Sequence, residues 1–490
     1  MRRALIPGRW IVYRYDLTRT WGSLLDESMA SSVCSLLRFE GTDRRQGEPF
    51  LIGPDGRADP RVNAYFASRY MRRLDPLTWK KYAHALGLWL NFLLALGRCW
   101  DEATPEDAEF FKEWRITHRD NPALVEGATF RGDVIALRSF YRWSAKRYPD
   151  IVDPVAADED FDLLPHGVRE SDIVWLDPAG YRRWRDLGML GLDLAGLEDQ
   201  GWRGRNGQRN SAFADLLYGT GLRLVEGASI LLVELPDDDP GRGYTRCRLA
   251  DASAKGNHGH PYWMPRWALT GVLAYAEGAR ATAVRRAQAS GRYEALAGKR
   301  LVLGQRGDKL LIAEESGLEH EVALDALAPA ARRRLFRVTP RGLEPLAVWL
   351  NEDGLPRDPH GWQHTFQEAN ERVAALGLEN FSATAHALRH SFALRWYSIG
   401  KLVHAKRFGH LNAEEARDFR AQFGDTWHLV ATLLGHANPQ MTKKHYLEPF
   451  VALDVEVLLR HAEEPAITHF LASYLADHPQ VMSDPLAVSR

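Results

Sequence analysis

Between residues 75 and 150 the apolar positions of this chain recur at helical spacing. Trp79, Tyr82, Leu86, Leu90 and Leu93 share one face of a helix that Asp75-Pro76 starts and Gly97 stops. Thr104-Pro105-Glu106-Asp107 predicts a second start, with a side-chain cap, proline at the first helical position and acid in the first turn. A later helix carries Leu137, Phe140 and Tyr141 on one face, and Arg131, Arg138, Arg142, Lys146 and Arg147 give it a basic surface. Residues 66–150 are therefore expected to form a compact helical domain.

On either side of this domain the period changes. Residues 1–65 mix short strand-like runs, such as Ile11, Tyr13 and Tyr15 at period two, with turns such as Gly53-Pro54-Asp55-Gly56. No function attaches to this segment. Residues 151–175 are rich in proline and aspartate, lack periodicity and read as an interdomain linker. Residues 176–450 read as a second, larger domain, mostly helical, with a β-hairpin around 245–265 that turns at Lys255-Gly256-Asn257. A tail, 451–490, opens with a helix from Val451 to His461 that carries Leu453, Val455 and Leu458-Leu459. It then becomes acidic and proline-punctuated. The expected class is mainly α with a small β-hairpin or sheet (α+β).

Composition narrows the class without deciding the function. At 490 residues the chain exceeds what one core organises, and 45% hydrophobic with 26% charged residues is ordinary for a globular protein. No uninterrupted apolar stretch is long enough to predict a transmembrane helix. The N-terminal residues lack the apolar run and cleavage site of a signal peptide. Cys34, Cys99 and Cys247 are far apart and form no Cys-x-x-Cys pair, which suits a reducing cytoplasm rather than a disulfide framework or a cysteine zinc site. The net charge of −1 gives no bulk sign of a nucleic-acid partner. The charge is uneven, however. Residues 61–150 carry 15 Lys+Arg against 11 Asp+Glu, and residues 451–490 carry 2 against 6.

Four short segments of the second domain carry candidate chemistry. In Leu217-Tyr218-Gly219-Thr220-Gly221-Leu222-Arg223-Leu224-Val225-Glu226, Gly219 is expected to close one helix in the left-handed conformation. The next helix then holds Arg223 in its first turn, where guanidinium and helix N-terminus both face an anion. Glu226 lies three residues on and can orient that arginine; an ordinary surface Arg–Glu pair fits equally. In His386-Ala387-Leu388-Arg389-His390, positions i, i+3 and i+4 place His386, Arg389 and His390 on one helical face. An arginine between two histidines repels a metal cation and attracts a phosphate, and the glutamate of a His-Glu-x-x-His zinc site is missing. Leu434-Gly435-His436 and Lys443-Lys444-His445-Tyr446 complete the series.

The order Arg, Lys, His-x-x-Arg, Gly-His, Tyr resembles the catalytic signature of the tyrosine recombinases, the family of phage integrases and Xer-type resolvases. Thr220-Gly221-Leu222-Arg223-x-x-Glu226 resembles the family's first arginine motif, and Ala254-Lys255-Gly256-Asn257 with Pro265 its hairpin lysine. His386-x-x-Arg389-His390 resembles its second box, Leu434-Gly435-His436 its third, and Tyr446 its nucleophile. Thr78-x-x-x-Tyr82 through Phe140-Tyr141-x-Trp143 is similar to the helical core-binding domain that clamps DNA opposite the catalytic domain. The likeness covers about residues 66–450. His436 and Tyr446 are ten residues apart where many relatives have nine. The interval from His390 to His436, which includes the charged stretch Arg407–Asp425, is longer than in compact members.

The resemblance implies an enzyme in which Arg223 and Arg389 clamp the scissile phosphate and Tyr446 attacks it to form a 3′-phosphotyrosyl link. Lys255 would donate a proton to the leaving 5′-hydroxyl. His386 and His436 would add hydrogen bonds, with Glu226 and His390 in support. It implies no cofactor and no metal. The implied partners are specific sites in double-stranded DNA, four protomers on two sites, and accessory recombinases or DNA-bending proteins. Lys80, Lys81, Arg131, Arg138, Arg142 and Lys146 are candidate DNA contacts, in a cytoplasmic, nucleoid-associated protein. A type IB topoisomerase-like enzyme, a catalytically silent DNA binder on the same fold and a metal-dependent nuclease remain as other readings.

Overall fold

The computed structural model describes residues 8–16, 44–156, 163–164, 175–408, 430, 433–434, 481–482 and 484–486. The chain divides into two compact units, Met1–Glu170 and Ser171–Arg490. His436, Tyr446, most of the stretch Arg407–Asp425 and the expected tail helix from Val451 to His461 lie outside the described residues.

In the first unit, strands β1 (Ile11–Arg14) and β2 (Pro49–Ile52) form an antiparallel ribbon. Five helices follow: α1 (Pro60–Phe66), α2 (Arg69–Arg72), α3 (Pro76–Ala95), α4 (Pro105–Ile116) and α5 (Gly127–Arg147). The starts agree with the sequence chemistry. Asp75 caps α3 through Leu77 N–H, and Thr104 and Asp107 form a reciprocal capping box on α4. Trp79, Leu86, Leu90 and Leu93 are buried. The α3–α5 seam is closed by Trp89 Nε1, which donates to Tyr141 Oη (2.8 Å), while Tyr141 Oη donates to the Trp100 carbonyl (2.8 Å).

Two stretches outside the expected helical domain, the strand-like N-terminal run and the start of the expected linker, pack into this unit. The ribbon lies on α3, where Asn91 accepts from Trp10 N–H (2.8 Å) and returns a bond to the Trp10 carbonyl (3.0 Å). Gly87 admits Val12 there, since a Cβ would come within 2.9 Å of it. At the other end Ile151, Val155 and Leu163 are buried in the same core, so the proline- and aspartate-rich stretch is anchored at its start.

The second unit is built around one buried helix. Strand β3 (Trp175–Leu176) leads into α6 (Pro178–Arg185), a π-turn at Asp186–Leu190, α7 (Gly207–Thr220) and the short α8 (Leu224–Ala228). Every residue of α7 from Ser211 to Thr220 is buried, so no single apolar stripe marks it. Strands β4 (Tyr244–Arg248) and β5 (Pro261–Pro265) pair antiparallel, and α9 (Arg266–Tyr275) and α10 (Ala281–Ala289) follow. A five-stranded sheet comes next, formed by β6 (Arg300–Arg306), β7 (Lys309–Ala313), β8 (Glu319–Ala323), β9 (Leu335–Thr339) and β10 (Gly342–Pro345). Its order is β10-β9-β6-β7-β8, with only the β6–β9 pair parallel. The short α11 (Pro329–Arg332) connects β8 to β9. Helices α12 (Gly361–Ala375) and α13 (Ala385–Phe408) complete the unit, and β11 (Val481–Met482) pairs parallel with β3. Phe213 of α7 stacks on Trp362 of α12 with centroids 3.7 Å apart, fixing the two helices face to face. The architecture is thus mainly α with small sheets.

Candidate active site

Three separated stretches meet around residues 221–226. The first is the exit from α7. Gly221, with φ +68°, ends that helix in the left-handed conformation, and a Cβ there would overlap the Phe392 ring of α13. This corrects the expectation for Gly219, which lies inside α7. Gly219 is needed for close approach instead, because a Cβ would sit 2.7 Å from Pro265. The turn is fixed by Thr220, whose hydroxyl donates to the Leu216 carbonyl (2.6 Å) and accepts from Leu222 N–H (3.3 Å).

Arg223 then stands in extended backbone (φ −69°, ψ 155°) immediately before α8. At five residues α8 is too short to carry a useful macrodipole, so the charge here is the guanidinium's, not the joint one expected. Glu226 organises the stretch. It is buried and accepts from Arg223 N–H (2.8 Å), from Arg223 Nη1 (2.8 Å) and, at 3.5 Å, from Lys255 N–H. Burial pushes its carboxyl up, but the Arg223 charge and backbone N–H, with Arg389, hold it below the usual glutamate range. Glu226 therefore stays ionised and pins both Arg223 and the start of the Lys255 turn.

Lys255 belongs to the second stretch, the β4–β5 connection, where its side chain is exposed. The hairpin is real, but Lys255-Gly256-Asn257 is not a two-residue turn. It is one turn within a connection running from Leu249 to His260, with positive φ at Gly256 (77°) and Asn257 (58°). The same connection supplies a residue that motif reading passed over, His260. Its Nδ1 lies 3.0 Å from the Pro261 carbonyl, which can only accept, so Nδ1 carries the hydrogen. Among the described residues its Nε2 is buried with no hydrogen-bond partner. Burial, reinforced by Arg389 and Arg223 and opposed by Glu226, holds the ring below the usual histidine range. His260 thus presents an uncommitted acceptor beside the two arginines. Its signal in the sequence was weak, a histidine five residues past the lysine.

The third stretch is the start of α13. Thr384 accepts from Ala387 N–H (3.0 Å). His386 and His390 face each other, with Nε2 atoms 2.7 Å apart and rings at 86°. One nitrogen must donate and the other accept, so the pair shares a single proton. Two imidazoles on one tetrahedral zinc would hold their nitrogens about 3.3 Å apart, which this contact does not fit. Arg389, only 4% exposed, reaches inward: Nη1 donates to the Gly221 carbonyl and Nη2 to the Leu434 carbonyl (2.7 Å). It thereby joins the first arginine motif to the residue directly before Gly435-His436.

The structure brings Arg223, Glu226, the Lys255 backbone and Arg389 together around residues 221–226, and His386 and His390 pair with each other on the same first turns of α13 as Arg389. The candidate DNA contacts all lie in the first unit. Lys80 and Lys81 are exposed on α3, and Arg131, Arg142 and Lys146 are exposed on α5. Arg138 is half-buried and donates to the Val155 carbonyl (2.7 Å), so part of its guanidinium serves the fold.

No protein-family model and no curated protein matches the chain. Among solved structures it is similar to the XerH site-specific recombinase bound to palindromic difH substrate, at 12% identity over 82% of this chain and 81% of that one (TM-score 0.44). It is also similar to the Tn1549 transposon integrase in complex with transposon right end DNA, at 14% identity over 83% and 99% (TM-score 0.44). A third likeness is the integrase from mycobacterium phage Brujita, at 13% identity over 83% and 98% (TM-score 0.22). At these values the reading of the site stands on this chain's own residues.

Proposed function

We propose that this chain is a site-specific tyrosine recombinase, the integrase or transposase of a mobile element, that cuts and rejoins double-stranded DNA. The observation that carries the reading is the meeting at residues 221–226 of three stretches that each bear a cation: Glu226 holds the Arg223 guanidinium and the Lys255 backbone, and Arg389 donates to the Gly221 carbonyl. Arg223 and Arg389 supply permanent, planar charges suited to the non-bridging oxygens of a phosphodiester. The Tyr446 hydroxyl attacks phosphorus, forming the phosphotyrosyl bond as the bond to the 5′-oxygen breaks. Lys255 gives that oxygen its proton, and the His386–His390 pair, with room for one more proton, takes the tyrosine's. His436 completes the phosphate's hydrogen bonds. Attack by a second strand's 5′-hydroxyl reverses the chemistry and restores the tyrosine. Four protomers on two sites then exchange strands, with the apolar positions from Val451 to Leu459 packing between neighbours.

The test is a nicked suicide duplex whose sequence is chosen by selection on the immobilised protein. A covalent protein–DNA adduct forms in EDTA and disappears completely in Tyr446→Phe. Cutting that EDTA stops, with free DNA ends, would sink the proposal; so would an adduct that survives the substitution.

A further inference from the structure

The other end of α7 opens into a cavity of about 670 Å³ whose lining is rich in arginine. Arg203, Arg205, Arg209, Arg357 and Arg372 line it against two carboxylates, Glu352 and Glu368. Three of these arginines are ordinary: Arg372 is bound to Asp199 (2.7 Å), Arg205 reaches Glu352 (3.5 Å) at the rim, and Arg203 is exposed. Glu368 faces His364 at 3.7 Å, and Glu352 also accepts from Asn206 (2.9 Å).

Arg209 and Arg357 are different. Among the described residues neither has a carboxylate within ion-pair distance. Arg209 is 3% exposed and donates only to Asn210 Oδ1 and the Leu350 carbonyl. Arg357 donates to Asn351 Oδ1, the Gly361 carbonyl and Thr365 Oγ1, and its Nε–H is buried without an acceptor. Both guanidiniums rest on the Trp362 ring, at 5.3 and 4.8 Å from its centroid. Burial, then the Arg357 charge, pushes Arg209 down to about 10. A buried and a half-buried cation side by side, with no ion-paired carboxylate, are a cost that the Trp362 ring and the more distant Glu352 and Glu368 offset only in part. Five donors per guanidinium also leave each with hydrogens to spare. Moreover α7 (14 residues) and α12 (15 residues) both begin at this cavity, and neither has a side-chain cap, so two helix N-termini add to the positive potential.

We propose that this cavity binds a small phosphate-bearing anion of the di- or triphosphate class, held by Arg209 and Arg357 at the N-termini of α7 and α12. Its volume suits a ligand of nucleotide size rather than a lone ion. The assignment is independent of the DNA chemistry at the far end of α7.

The probe is sodium pyrophosphate, titrated into the full-length protein at constant ionic strength. Tryptophan fluorescence, to which Trp202 at the cavity wall contributes, and Tm are read together. Saturable binding with a rise in Tm is expected, weakened about tenfold or more in Arg357→Gln, as for loss of a charged hydrogen bond. The exposed-rim variant Arg203→Gln, which leaves the core untouched, should weaken binding about twofold to threefold. Lys80→Gln in the first unit should leave it unchanged. Absence of saturation, or equal binding by wild type and Arg203→Gln and Arg357→Gln, overturns the proposal. Displacement of pyrophosphate by a short DNA duplex overturns the small-ligand assignment in favour of a backbone phosphate.

Discussion

The two ends of α7 hold pairs of arginines under opposite conditions. At the C-terminal end Arg223 is matched by Glu226, and Arg389 is anchored on two backbone carbonyls, so both are fixed before any ligand arrives. At the N-terminal end, about 20 Å away along the helix, Arg209 and Arg357 share one aromatic ring and no carboxylate. The difference is one between preorganisation and unmet charge. A catalytic clamp works best when its cations cannot rearrange during the reaction, whereas a binding pocket gains affinity from cations that an incoming anion relieves.

If that contrast holds, substitutions at the two ends must separate. Arg389→Lys cannot span both the Gly221 and Leu434 carbonyls and also face a phosphate. DNA cleavage should fall by about 10²–10³-fold, as for loss of one preorganised donor, while pyrophosphate binding is unchanged. Arg357→Gln should do the reverse, and a loss of cleavage comparable to that of Arg389→Lys would break the comparison. Next in size, Gly221→Ala forces a left-handed backbone on alanine and a methyl group into Phe392. It should lower stability by about 2–4 kcal/mol in urea unfolding. Retention of wild-type stability there would mean that the α7 exit is not rigid.

Glu226→Gln gives a smaller, pH-dependent effect. The Glu226 carboxyl titrates below its ordinary value in the folded protein, so its ionised form stabilises the fold above the ordinary carboxylate range. That stabilisation is lost as pH falls through the lowered folded value. The difference in unfolding free energy between wild type and Glu226→Gln should therefore be largest at neutral pH and shrink in acid. A difference that grows on acidification would contradict it. Smallest, Arg142→Gln on the exposed face of α5 should weaken DNA binding uniformly across sequences and lower the salt slope by about one. A change confined to one DNA sequence would instead assign it a base contact.

Much of the first unit was legible because its signals are local. Asp75-Pro76 and Thr104-Pro105 start helices by chemistry that needs no tertiary partner, and the Trp79–Leu93 stripe needs only a core on one side. The placing of His386, Arg389 and His390 on one helix followed from helical period in the same way; the Arg223–Glu226 pair was expected too, but it forms across the start of α8, with Arg223 in extended backbone. What escaped depends on distant partners. Gly219 and Gly221 look interchangeable in sequence; only the neighbouring Pro265 and Phe392 decide which ends the helix. The five-stranded sheet left turn signals at Gly307, Gly317 and Gly342, all at positive φ, but its strands are short and partly exposed. Their pairing also includes a parallel β6–β9 match that no hairpin rule supplies. Arg209 and Arg357 lie 148 positions apart in sequence, and nothing local marks either as lining a shared cavity.

The bond from Arg389 to the Gly221 carbonyl joins positions 168 residues apart. Contacts of such separation form late, because the loop entropy must be overcome before they return any energy. During synthesis, a chain that has emerged only through the five-stranded sheet already carries Arg223 and Lys255 but lacks the second arginine. On the proposed assignment, premature termination or proteolysis within that stretch therefore yields fragments that carry Arg223 without Arg389 and lack Tyr446.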